Sequence, residues 1–84
     1  MKEKELIKLG FKKEFSTDMV DKKPMFYYYV IYIGDIALIS NSDDEAKKDG
    51  WKVEFLDSQS ITFTDSKDIS EVIKLLKKNM NNKK

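Results

Sequence analysis

Met25-Phe-Tyr-Tyr-Tyr-Val-Ile-Tyr-Ile33, then Gly34-Asp35, then Ile36-Ala-Leu-Ile39, is the stretch that decides the fold. Aromatic and β-branched side chains suit a pleated surface, so both runs read as strands. A two-residue Gly-Asp link between such runs signals a hairpin. That turn sets the register, with Ile33 opposite Ile36, Ile31 opposite Leu38 and Tyr29 opposite Ser40. Alternation then puts Tyr27, Tyr29, Ile31, Ile33, Ile36 and Leu38 on one face. Phe26, Tyr28, Val30, Tyr32, Ala37 and Ile39 fall on the other. Neither face is polar, so the hairpin needs cover on both sides.

Outward from the hairpin, residues 3–9 read as a short helix with Leu6, Ile7 and Leu9 on its apolar side. Gly10 stands where a left-handed C-terminal cap belongs. Phe11 to Phe15 alternates as a strand, and the polar stretch from Ser16 to Pro24 reads as a loop. Residues 41–50 read as a polar, acidic connection closing on Asp49-Gly50. Trp51 to Leu56 resumes strand alternation, 57–60 turns, and 61–64 makes a last strand. Asp68 and Glu71 form a capping box for a C-terminal helix. Its apolar stripe is Ile69, Val72, Ile73, Leu76 and Met80, with residues 81–84 as a fraying tail. Together these elements predict one α+β domain spanning 1–84. It is a four- to five-stranded antiparallel meander, opened by a short helix, with the C-terminal amphipathic helix packed on one face.

Composition removes several function classes. With no Cys there is no disulfide, thiolate nucleophile or Cys metal site, and with no His the commonest general base and metal ligand are missing. All sixteen basic residues are Lys, so the bidentate guanidinium reading of phosphate or guanine is unavailable. Three isolated glycines cannot form a phosphate loop. Asn41, Asp43 and Glu45 are spaced like the start of a calcium loop. Ala46 and Lys52, however, occupy the places where that loop needs Gly and a bidentate Glu. The expectation is therefore no enzyme, no cofactor and no metal. The longest apolar run has nine residues against the ~20 of a membrane helix, which argues for a cytoplasmic location.

Two surfaces remain as candidate partner sites. One is the tyrosine strand, with Tyr27, Tyr28, Tyr29 and Tyr32, because tyrosine combines large area with a polar tip and is enriched at interfaces. The opposing reading makes the same strand a core element sandwiched on both sides. The other surface is the acidic segment with Asp43, Asp44, Glu45 and Asp49, part of a stretch at 43–68 holding eight acidic residues against four lysines. Its alternative is an ordinary solvated charged loop. A homodimer through the tyrosine face is a further option. Lysines 74, 77, 78, 83 and 84 beside exposed tyrosines also admit single-stranded nucleic acid. The lack of Arg and a net charge of +1 weigh against that reading.

The opening Leu6-Ile-Lys-Leu-Gly-Phe11, the tyrosine strand, Trp51-Lys-Val-Glu-Phe55 and the closing amphipathic helix resemble small phage-encoded proteins. Inhibitors of bacterial defence, anti-CRISPR proteins among them, belong to that group. The resemblance implies a protein that binds and occludes a larger enzyme such as a CRISPR effector, and carries over no individual functional residue. The expected function is thus a non-enzymatic interaction domain whose partner is a larger protein.

Overall fold

Gly34 takes a φ of 62°, and the turn it opens brings Ile33 opposite Ile36 and Ile31 opposite Leu38, as the sequence predicts. The computed structural model describes residues 1–17 and 24–80. In chain order the elements are α1 (Glu3–Leu9), β1 (Lys12–Thr17), β2 (Pro24–Ile33), β3 (Ile36–Ser40), α2 (Asp43–Asp49), β4 (Val53–Phe55), β5 (Ser58–Phe63) and α3 (Ser66–Lys78). The strands form one antiparallel sheet in the order β1-β2-β3-β4-β5, a five-stranded meander. The fold is α+β.

The sheet is staggered about β2. β1 pairs with the first part of that strand, from Lys12 opposite Val30 to Thr17 opposite Pro24. β3 pairs with its last part, from Val30 to Ile33. Within β2, Val30 alone has strand partners on both sides.

Both terminal helices cover the same face. Leu6 and Phe11 meet Tyr29, Ile31, Ile33, Leu38, Val53, Ile69 and Ile73 in a single buried cluster. At 7 residues α1 is too short to persist alone in water, and its ends are fixed by specific bonds. The Gly10 N–H donates to Ile7 O and the Phe11 N–H to Leu6 O, a Schellman turn that folds Phe11 back into the core. At the other end Glu5 accepts from its own cap residue, Lys2 N, and its second oxygen accepts from Ser66 Oγ of α3 at 3.1 Å. These bonds, the backbone one first, hold the Glu5 carboxyl below its ordinary range. Gly10 has a φ of 102°, a conformation that costs an L-residue about 1–2 kcal/mol. An added Cβ would meet Ile31 Cδ1 at an ordinary 3.6 Å, so the backbone alone is strained. Gly10→Ala should accordingly lower the thermal midpoint by about 5–15 °C, read by circular dichroism.

The structure corrects four sequence expectations. Residues 43–49 form a helix, α2, rather than a loop. The turn before β5 lies at Leu56-Asp57, so that strand starts at Ser58, well before residue 61. α3 begins three residues early, because the Asp65 side chain accepts from Lys67 N at 2.9 Å and takes the capping role assigned to Asp68. Ser16, Thr17 and Pro24 belong to strands, while the rest of that expected loop, and the tail at 81–84, lie outside the described residues. Among the described residues no helix is long and apolar enough to cross a membrane.

Candidate functional site

The four candidate tyrosines divide between the two faces of the sheet. Tyr29 is 2% exposed and belongs to the core. It stacks edge-on against Trp51 at 5.4 Å, and its hydroxyl donates to Glu3 Oε2 of α1. Tyr27 is half-buried on the same side, with Trp51 at 6.2 Å and Phe15 at 5.9 Å. The Lys13 ammonium sits over the Tyr27 ring at 4.0 Å. Tyr27 and Tyr29 thus join an aromatic cluster beside α1. Tyr29 is a core residue, against the expectation that it would be presented to a partner, while Tyr27 keeps part of its surface exposed.

Burial raises the phenol pKa of both Tyr29 and Tyr27, and hydrogen bonding to Glu3 reinforces the shift. A phenol raised in the folded state keeps its proton where the unfolded chain has lost it. The stability it contributes is therefore complete below about pH 10 and declines as pH rises beyond that. Denaturant titrations between about pH 9 and 11 should show this decline, and Tyr29→Phe should flatten it while costing about 1 kcal/mol at neutral pH.

Tyr28 and Tyr32 lie on the opposite face, which neither α1 nor α3 covers. Tyr32 is 70% exposed. Val30 and Ala37 are buried there because each lies low between larger neighbours, whereas Phe26, Tyr28 and Ile39 stay half-buried. Register adds Lys12 and Glu14 on β1 and Glu54 and Thr62 across β4 and β5 to this face.

α2 closes one side of it. Its sequence carries a complete set of helix signals. Ser42 and Glu45 form a reciprocal capping box, Asp43, Asp44 and Glu45 fill the first turn, and Lys47 and Lys48 fill the last. Asn41 draws the two ends of this excursion together. Its N–H donates to Lys52 O, its side-chain carbonyl accepts from Lys52 N, and its side-chain amide donates to Gly50 O. α2 is then tied to β2 where pairing with β3 has stopped. The Tyr29 N–H donates to Ser40 Oγ at 2.8 Å, and the Tyr27 N–H to Asp43 Oδ1 at 3.0 Å. Asp43 is in this way an internal cap for the strand edge.

Between α2 and the open face runs a groove of about 810 Å³. Phe26, Tyr28 and Ile39 supply its apolar surface. Asp44, Glu45 and Asp49 line it from α2, with Lys52 and Glu54 from the region of β4. Two surfaces that lie apart in the sequence, the tyrosine strand and the acidic segment, therefore meet for Tyr28, Asp44, Glu45 and Asp49. Tyr32 lies farther along the same face. Lys74, Lys77 and Lys78 belong to α3, which packs on the other side of the sheet from Tyr28. Comparison with protein families, with curated proteins and with solved structures finds no match to this chain.

Proposed function

We propose that this chain is a non-enzymatic protein-interaction domain that engages a larger protein through the groove between α2 and the open sheet face. The observation that carries this reading is the convergence of Tyr28 with Asp44, Glu45 and Asp49 around one concavity. Aromatic anchors inside a polar rim are the usual anatomy of a binding surface. Small-molecule sites, by contrast, are mostly apolar with few polar groups, and here three apolar residues face eight polar ones. In keeping with the resemblance to phage-encoded inhibitors, the domain acts by occupying a defence enzyme's own binding surface.

The test compares wild-type protein with Tyr28→Ser and Tyr32→Ser as bait in host lysate, with mass spectrometry of what is retained. A protein held by the wild type and lost by variants of unchanged melting temperature supports the reading. Identical capture by all three, with Tyr28→Ser still folded, places the contact elsewhere.

A further inference from the structure

We infer that the groove receives an extended, basic segment of the partner, with a lysine or arginine side chain laid across Tyr28 and its cationic tip between the carboxylates of α2. This inference rests on the interaction-domain reading above and specifies its ligand chemistry. The chain as a whole has a net charge of +1, so it exerts no general pull on cations. Within the groove the balance is different, since Asp44, Glu45, Asp49 and Glu54 face a single ammonium, that of Lys52. An excess of negative charge is therefore concentrated on one concave surface of an otherwise balanced protein, where it sets partner choice and association rate.

The apolar part of the groove fits the other half of the same side chain. Lysine and arginine carry aliphatic stems that lie along apolar surface while their charged tips stay in water. Phe26 and Tyr28 present adjacent rings, with centroids 6.4 Å apart and planes tilted by 47°. Ring faces attract cations, most strongly where water is partly excluded. This protein already uses that contact on its other face, where Lys13 lies 4.0 Å from the Tyr27 centroid. A phosphate backbone fits poorly, because the carboxylates that welcome a cation repel it. The second wall requires nothing to move, since α2 is already fixed by Asn41, Ser40 and Asp43.

The test uses three fluorescein-labelled ten-residue peptides in a Gly/Ser background, with four arginines, four glutamates or four leucines. Anisotropy gives affinity and amide shift mapping gives location. The arginine peptide should shift the amides of Tyr28, Ile39 and Asp44 and bind several-fold more weakly when salt is raised from about 50 to 300 mM. Asp44→Asn with Asp49→Asn should weaken it roughly tenfold, and Tyr28→Leu about threefold, with folding unchanged. Equal binding by the Asn variant, or shifts elsewhere, overturns the inference. If the glutamate or leucine peptide takes the groove instead, the interaction-domain reading survives and the basic ligand does not. If none of the three shifts the groove, both fail. The inference also fails if a single-stranded oligonucleotide shifts the same amides, or if concentration-dependent self-association does so without peptide.

Discussion

Leu38→Ala will cost about 3–5 kcal/mol of stability, which for a domain of this size means a drop of at least about 15 °C in melting temperature. Leu38 is fully buried at the centre of the covered face. It lies between Ile31 on β2 and Phe55 on β4, beneath the helix residues Leu6 and Ile69. Backbone on both flanks is hydrogen-bonded, so the sheet cannot close over the lost methyl groups and most of the cavity persists. The total stability of an 84-residue chain is roughly 4–13 kcal/mol, so the substitution removes a large share of it. Tyr32→Ala provides the control. It removes a larger side chain from the same hairpin, but that side chain is 70% exposed on the opposite face, and the loss should stay within about 0.5 kcal/mol. The pair tests the register itself, because a slip of one residue would exchange the two faces. Equal loss in the two variants, measured by calorimetry, would refute the facing described here.

The double substitution Ser40→Ala with Asp43→Ala should cost about 2–5 kcal/mol and detach α2 from the sheet. Each side chain satisfies one N–H of β2 beyond the last β2–β3 pair, Val30 with Ile39, and Tyr29 is buried. Removing one acceptor from a buried donor costs about 1–3 kcal/mol, and two neighbouring losses need not add. The effect reaches the groove as well, because α2 is its acidic wall. Urea denaturation gives the energy, and loss of amide dispersion over residues 43–49 reports the detachment. Ser40→Thr keeps the hydroxyl and should retain most of the stability. Wild-type behaviour in the double variant would show that the β2 edge is satisfied by other means.

The hairpin was legible because two independent signals agreed, the β-branched and aromatic run and the Gly34-Asp35 turn. The α1 boundary was legible for a similar reason, since Gly10 marks a left-handed residue that few others tolerate. α2 went unread although its capping box and dipole charges are plain in Ser42-Asp-Asp-Glu45 and Lys47-Lys48. α2 has no apolar periodicity to mark it. Ala46 is its one apolar residue, so it is held by polar bonds at its start and neck. α3 was misplaced at its start because Asp65 and Asp68 are equally good caps by composition. The docking of Ser66 on Glu5, which favours the longer helix, is a tertiary contact. The candidate site was half legible. Its residue types stood out in both segments, but which tyrosines face outward depends on where the helices pack. Tyr28 and Asp49 are brought together by the Asn41 neck and the bonds from Ser40 and Asp43 to β2, which local sequence does not announce.

The stagger about Val30 has a consequence for how this domain breathes. The outer ribbon, Glu14–Thr17 against Pro24–Tyr28, is tied laterally to the excursion after β3 by the bond at Tyr27, with the bond at Tyr29 just beyond it. It can therefore open at lower free energy than the helix-covered half, and its amides should exchange with solvent deuterium sooner than those of Ile31 and Leu38. Phe26 and Tyr28 ride on that outer ribbon, whereas Asp44 and Asp49 ride on the excursion from the inner half. The two walls of the groove should thus belong to units that open separately, joined by the Tyr27–Asp43 bond. Anything that grips both will act as a clasp, slowing deuterium uptake in β1, a strand it need not touch.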